Sequence, residues 1–471
     1  NMIFNASAGT GKTWQVTELY CALVLGKNHE HLPAGRKPVD PRRILLMTFT
    51  DNAAAELRIR VSEKMIAAEN GHDDEQADCA RRVLRSLPAA GISTIHAFCA
   101  GLLREHALEL GLSPAFQTLE DEERDTLLDG VLRGIFFQTL ETDSVFREFC
   151  SGISILGSPD NQYSLINTIR SLLEKADSRG LDLSDAEAML PPPERTVSKQ
   201  SFERIRDELS AFDLPATAAA ALDALNRFLA DFPNIGKLEA VGKFGQAKKV
   251  KHLSDELAEL KERFLTEALY AENKEKFRAF ARCLSACARG FTEAKRSRDA
   301  VDFGDQLLLA RDLLRNGQFK NLFDWIIVDE VQDTSRVQCD VIEALWGKET
   351  HLVICGDRKQ SIYAWRSADP DVMPMLEDKM AARGGLKRIE LKTSYRSNDR
   401  VIRAVNELFS GIYAQYDALE AQSVLADEGP CVEFLMQDGD ESTTDDEMTA
   451  VARRIRLLVD GGAEWRPKYG H

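Results

Sequence analysis

Long apolar runs are missing from this chain. No stretch approaches the length needed to cross a bilayer, and no signal peptide stands ahead of its first motif, so a cytoplasmic protein without a membrane partner is expected. Paired cysteines are missing too. The nine cysteines show no CxxC spacing, and Cys99, Cys339 and Cys355 lie in apolar stretches; buried reduced thiols are expected rather than disulfides, metal ligands or reactive nucleophiles. Positive charge is in deficit. A formal net charge of -16 excludes a protein that coats nucleic acid by charge alone, while leaving room for a narrow basic groove. Basic clusters at Arg42 and Arg43, at Arg81, Arg82 and Arg85, at Lys243 through Lys251, and at Lys387, Arg388 and Lys392 read as solvated faces.

What is present is chemistry at strand ends. In FDWIIVDEVQDTSR, Ile326, Ile327 and Val328 read as a buried parallel strand that delivers Asp329 and Glu330 at its carboxyl end, where open α/β sheets place ligands. Asp329 suits Mg²⁺ through its water shell, and Glu330 suits the orientation and deprotonation of an attacking water. Leu352 to Cys355 read as a second buried strand, ending at Gly356 and Asp357 and followed by Gln360, Tyr363, Trp365 and Arg366. Alone, either piece passes for a buried strand with a solvated acidic turn.

A phosphate cradle changes that reading. Met2, Ile3 and Phe4 read as a strand running into ASAGTGKT, a P-loop made of Ala6, Ser7, Ala8, Gly9, Thr10, Gly11, Lys12 and Thr13, with Ala6 at the first glycine position. Gly9 and Gly11 let backbone N–H groups turn toward phosphate oxygens, and the helix beginning at Thr13 aims its positive end at them. Lys12 is placed to reach the β- and γ-phosphates, and the Thr13 hydroxyl to coordinate Mg²⁺. ATP and Mg²⁺ are the implied cofactors.

Organisation follows from composition. The 471 residues, 44% hydrophobic, imply two or three domains. Strands at Arg43–Phe49 and Gly91–Ile95 each lead into a helix, extending the same parallel sheet. From about Gly111 to Arg298, Ala, Leu, Glu, Lys and Arg recur at helical spacing with a break at Pro191–Pro193, as in an inserted helical subdomain. After Gly384 and Gly385 a strand at Leu386–Leu391 is expected to open a second α/β unit, whose next helix follows a Ser/Asn/Asp cluster suited to capping.

Seven segments, ASAGTGKT, LLMTFTDNAAAELRIRV, STIHAFC, VDFGDQLL, IIVDEVQDT, GDRKQSIYAWRSADP and LKTSYRS, stand in the order found in the UvrD/Rep-type superfamily of DNA helicases. The chain resembles this family over nearly its whole length, and the wording of the first two segments is most similar to the RecB/AddA branch, the motor subunits of recombination helicase-nucleases. The resemblance implies an α/β fold: a P-loop RecA-like parallel sheet with helices on both faces (1–110 and 298–385), an all-helical insertion (111–297), and an incomplete second RecA-like domain (386–471). It implies that Gln360 senses the γ-phosphate, that Tyr395 stacks on adenine, and that Arg396 acts as an arginine finger reaching across from the second motor domain. It also implies DNA contacts at Phe49, Thr50, Thr94, His96, Phe98, Tyr363, Trp365 and Arg366. Exposed aromatics at such positions stack on unpaired bases without reading sequence. By spacing alone, Phe49 and Phe98 fit core packing equally well, and His96 fits a hydrogen-bonded core histidine.

The function implied is an ATP-dependent translocase on single-stranded DNA and duplex junctions, moving 3′ to 5′ in double-strand-break repair, its partner being a second component of a helicase-nuclease. Departures are the absence of the family's upstream adenine-reading Gln, DEVQDT in place of DEFQDT, and no nuclease signature. The later motifs beyond SYRS are also missing, so a fragment that binds ATP but hydrolyses it poorly is expected. The rival reading is a scaffold that recruits repair partners and uses ATP only as a conformational ligand; intact Glu330, Gln360 and Arg396 oppose it.

Overall fold

The computed structural model describes residues 1–71, 73–156, 164–191, 196–212, 216–242, 251–316, 319, 321–363, 367–413, 416–423 and 444–460. Their strands are β1 (Met2–Ala6), β2 (Ile44–Thr48), β3 (Gly91–Thr94), β4 (Gln117–Thr118), β5 (Ala300–Val301), β6 (Trp325–Val328), β7 (His351–Gly356), β8 (Lys387–Leu391), β9 (Thr393–Asn398) and β10 (Glu420–Ser423). Two compact units form, one from Asn1–Thr94, Asn321–Thr334 and Trp346–His471, the other from Ile95–Lys320 and Ser335–Leu345. Among the described residues, no helix is long and apolar enough to cross a membrane. The eight described cysteines are all buried, and none of them forms a disulfide; Cys431 lies outside the described residues.

The first unit is built on six parallel strands in the order β3, β2, β6, β7, β1, β8. Their sequences are apolar without alternation because both faces are buried. Phe4, Leu46, Ile327 and Val353 share a core with Val16, Leu19 and Leu23 of the helix Lys12–Leu25 and with Leu57 and Val61 of the helix Asp51–Glu69. The intervening Ile3, Leu45, Met47, Ile326, Leu352 and Ile354 are equally inaccessible. Met47 lies opposite Val328, and both Val328 and Ile3 lie opposite Ile354, so the loops after β1, β2, β6 and β7 leave one edge.

The second α/β unit expected from Leu386 does not begin there. Lys387–Leu391 instead forms the edge of the first sheet, with Phe4 opposite Ile389. Gly384 and Gly385, at φ 79° and 68°, form a turn that carries the chain from the helix Val372–Ala382 into that edge, not a linker. After it, β9 and β10 pair with each other in a separate two-stranded sheet. Asn398 caps the helix Asp399–Ser410, accepting from the N–H groups of Arg400 and Val401. The helical unit also takes in more than 111–297, because the helices Ile95–Glu105 and Phe303–Arg315 group with it.

Two cores hold the second unit. One joins Leu128, Leu132 and Phe136 of the helix Asp121–Thr142 to Ala279, Leu284 and Phe291 of the helix Lys274–Arg296. In the other, Phe202, Phe228 and Phe264 meet edge to face with ring centroids 5.1–5.8 Å apart, each contact adding about 0.5–1.5 kcal/mol beyond burial. VDFGDQLL is structural in this unit. Asp302 and Asp305 form a reciprocal cap at the start of the helix Phe303–Arg315, and the buried Lys295 ammonium lies 2.8 Å from Asp302 and 2.6 Å from Asp305.

Asp177, in the last turn of the helix Leu165–Arg179, faces this cluster near Arg124. Burial, and then the charges of Asp302 and Asp305, push its carboxyl up to about 7 against the opposing pull of Lys295 and Arg124. The folded state therefore binds the proton more tightly than the unfolded chain between the ordinary value of 3.8 and about 7, and stability falls as pH rises through that window. Because the side chain keeps 37% of its surface in solvent, screening softens the effect. Asp177→Asn is expected to raise the melting temperature by a few degrees near pH 8 and by clearly less near pH 5, as read by thermal denaturation; equal shifts at both would contradict this account.

Candidate functional site

The loop after β1 is a self-supporting turn. Thr10, 3% exposed, donates its hydroxyl to the Ser7 carbonyl at 2.7 Å, so this side chain holds the loop and does not reach outward. Gly9 and Gly11 take φ 76° and 83°, which L side chains rarely adopt. They turn the chain between Ser7, the exposed Ala8 and the helix Lys12–Leu25, whose N-cap is Gly11. Lys12 donates to Glu330 Oε2 at 2.6 Å. Burial works to lower its pKa, but the Glu330 charge and hydrogen bond outweigh it and raise the value.

Across β7, the end of β6 presents the acidic pair. Asp329 is 6% exposed and accepts from the Glu330 N–H at 3.0 Å. Glu330 itself sits at φ 53°, a left-handed conformation costing roughly 1–2 kcal/mol for a residue with a Cβ. Burial and then the Glu330 charge push the carboxyls of Asp329 and Asp333 up to about 6 each. Gln332 donates to Glu330 Oε2 at 2.8 Å and accepts from the Asp357 N–H at 3.1 Å, while Gln360 donates to Asp357 Oδ2 at 2.8 Å. The structure thus links Lys12, Glu330, Gln332, Asp357 and Gln360 in one chain of contacts. Sequence reasoning passed over Gln332, because a buried amide leaves no periodic or charged signal.

The SYRS strand, β9, packs directly on the phosphate loop. The Tyr395 N–H donates to the Gly9 carbonyl at 2.8 Å, and a Cβ on Gly9 would stand 2.6 Å from Arg396 Cβ. Arg396 was expected to reach in from a separate motor domain. Its strand instead belongs to the same unit as the loop, because only Lys392 separates β9 from the sheet edge β8. Beside Gly11, a cavity of about 440 Å³ is lined by Trp14, Gln15, Glu390, Lys392 and the ring of Tyr395. Trp14 is 52% exposed and Tyr395 59% exposed, and Gln15 Oε1 is buried with no hydrogen-bond partner among the described residues. Trp14 and Gln15 were not foreseen; the signal was an aromatic residue placed directly after GKT, in a first helical turn.

Among the residues expected to meet DNA, Phe49 and Tyr363 come together, with centroids 5.1 Å apart and both half-buried. Thr50 caps the helix Asp51–Glu69, accepting from the Ala53 N–H at 3.2 Å. Thr94 ends β3 and is buried, whereas His96 and Phe98 lie in the next helix, within the helical unit; the His96 ring meets Phe303 edge to face at 5.3 Å. Trp365 and Arg366 lie outside the described residues, as do Lys243 to Val250 of the basic run. Several remaining basic side chains are paired locally: Arg42 with Asp40, Arg43 with Asp324, Arg81 with Asp78 and Arg388 with Glu377.

A family profile, the UvrD/REP helicase N-terminal domain, matches residues 1–381. The chain belongs to the UvrD/REP helicase family. It is similar to proteins named as the A subunit of an ATP-dependent helicase/nuclease. The one from Syntrophomonas wolfei is 26% identical over 88% of this chain and 37% of its own length. That from Desulforudis audaxviator is 27% identical over 98% and 45%, and that from Bacillus cereus 24% over 98% and 44%. The chain spans less than half the length of these curated relatives.

In this UvrD/REP-type site the donor set suits a hard cation shared with phosphate. No group of three or more His, Cys, Asp or Glu forms a metal cage among the described residues. Mg²⁺ characteristically rests on one or two protein oxygens, waters and the nucleotide's own phosphates, and the Thr13 hydroxyl and the Asp329 carboxylate are oxygens of the kind that would hold it. Gly9→Ala would force a Cβ into left-handed backbone and against Arg396. It is expected to weaken ATP binding about tenfold, roughly 1.4 kcal/mol, by titration calorimetry; wild-type affinity would show that β9 does not brace the loop.

Proposed function

We propose that this chain is the ATP-binding motor portion of a DNA helicase that translocates 3′ to 5′ on single-stranded DNA in recombinational double-strand-break repair. The observation that carries the reading is the 2.6 Å contact between Lys12 of the phosphate loop and Glu330 of the acidic strand, with β9 laid on the same loop. Lys12 exchanges Glu330 for the β- and γ-phosphates when nucleotide enters. Glu330 is then released to accept a proton from a water, whose oxygen attacks the γ-phosphorus as the bond to the ADP oxygen breaks. Thr13 and Asp329 would hold Mg²⁺, which would supply charge neutralisation at the phosphate oxygens. Crowding by Asp329, Glu330 and Asp333 beside a single lysine favours a nucleotide that arrives with a divalent cation.

Tyr395 and Trp14 bound the cavity that takes the adenine, with Arg396 beside the phosphates and Gln360 as γ-phosphate sensor. Phe49 and Tyr363 form a platform on which unpaired bases stack, and Thr50, Thr94, His96, Phe98, Trp365 and Arg366 are assigned further contacts to DNA. The protein is placed in the cytoplasm with a second helicase-nuclease subunit, in keeping with relatives whose names make them one component of a helicase/nuclease.

In the full-length protein, Glu330→Gln is expected to retain Mg·ATP binding while lowering single-stranded-DNA-stimulated hydrolysis by about a hundredfold or more and abolishing unwinding. Hydrolysis that survives this change, or a wild type indifferent to single-stranded DNA, would overturn the reading; intact biological function without hydrolysis would favour the scaffold.

A further inference from the structure

Gln332 is 3% exposed and spends every polar atom of its side chain between two functional loops. Its Nε2 donates to Glu330 Oε2 at 2.8 Å and to Asp333 Oδ2 at 3.1 Å, and its Oε1 accepts from the Asp357 N–H at 3.1 Å. The orientation of the amide is dictated by its neighbours. Carboxylates that only accept lie on one side and a backbone N–H that only donates on the other, so the reverse setting would oppose like groups at every contact. The backbone is engaged as well, since the Gln332 carbonyl accepts from the Ser361 hydroxyl at 3.0 Å. The amide oxygen also lies against the backbone at the end of β7. A Cβ on Gly356, at the end of β7, would stand 2.5 Å from Gln332 Oε1 and 3.0 Å from Val331 Cγ1, so glycine at 356 is what admits the amide.

We infer that Gln332 is the positioning residue of the hydrolytic step: it holds the Glu330 carboxylate in place and ties it to the loop that runs from Asp357 through Gln360 to Tyr363. This rests on Glu330 acting as the general base. Glu330 stands on strained left-handed backbone, and among the described residues its carboxylate accepts from Lys12 and Gln332. Once Lys12 moves to phosphate, Gln332 is the remaining side chain that fixes where the base points. The same amide grips the Asp357 N–H, so any shift of that loop on DNA binding reaches the base through one rigid group.

The test compares Gln332→Leu, which removes all three side-chain hydrogen bonds while keeping bulk, with Gly356→Ala, which leaves the identity of every site side chain unchanged and pushes on the amide. Both are made in the full-length protein. ATPase is measured with and without single-stranded DNA, and affinity with a fluorescent ATP analogue. Expected for each is nucleotide affinity within about twofold of wild type, kcat lower by about tenfold to a hundredfold, and a DNA-stimulation ratio reduced toward one. Unchanged kcat and stimulation in Gly356→Ala would overturn the inference, as would losses of kcat matched by equal losses of nucleotide binding. Should Gln332→Leu not fold, Gly356→Ala decides alone. A wild type that hydrolyses no ATP, or a Glu330→Gln protein that hydrolyses normally, would sink the functional reading itself.

Discussion

Everything in the candidate site depends on a constraint of the parallel sheet. Strands that all run one way open all their following loops on one edge, and the order β6, β7, β1 sets the acidic pair and the phosphate loop one strand apart. Strands in a sheet lie about 4.8 Å apart, so two loops flanking a central strand are separated by roughly 10 Å at their roots. That is a distance a lysine and a glutamate can close from opposite sides, and Lys12 and Glu330 do so. The middle strand is then committed to what can fit beneath the pair. β7 ends in glycine, and the amide of Gln332 fills the space that a side chain there would take.

Strain and burial at this edge have the same origin. Delivering Glu330 toward the loop while Asp329 stays in the sheet requires the backbone to turn sharply at φ 53°, and the Asp329 carboxylate steadies the turn by accepting the next N–H. Burial, and then the Glu330 charge, raise the carboxyls of Asp329 and Asp333, and the neighbouring Cys355 thiol is held well above its usual range by burial and by Asp329. A lysine placed among them gains more from their charge than it loses to burial. Lys12 and the acidic pair thus form a compact cluster in which one ammonium offsets part of the carboxylate charge.

Much of this was legible in the chain, for identifiable reasons. Fully buried parallel strands read as continuous apolar runs, so β1, β2, β6 and β7 were marked by Met2–Phe4, Ile44–Met47, Ile326–Val328 and Leu352–Cys355, and the glycines of the phosphate loop by their need for positive φ. Gly384 and Gly385 misled because a glycine pair marks a tight turn and a linker equally well; only the pairing of Phe4 with Ile389 tells them apart. The bracing of the phosphate loop by β9 was invisible for a related reason: the Gly9 carbonyl and the Tyr395 N–H are backbone groups carrying no residue identity. Gln332, Trp14 and Gln15 were missed because an uncharged side chain gains its meaning from what surrounds it.

The Phe49–Tyr363 pair gives this arrangement its reach. Tyr363 lies two residues beyond Ser361, whose hydroxyl is bound to the Gln332 carbonyl, and six beyond Asp357, whose N–H is bound to the Gln332 amide. Between the acidic pair and the aromatic pair there is one buried side chain and one short loop, without a flexible linker or a solvent gap at Gln332. A displacement of Glu330 bears directly on the Gln332 amide, which is hydrogen-bonded to it and whose oxygen occupies the place a side chain at Gly356 would take. A buried side chain bonded to both loops is a physical route by which a change at one is felt at the other.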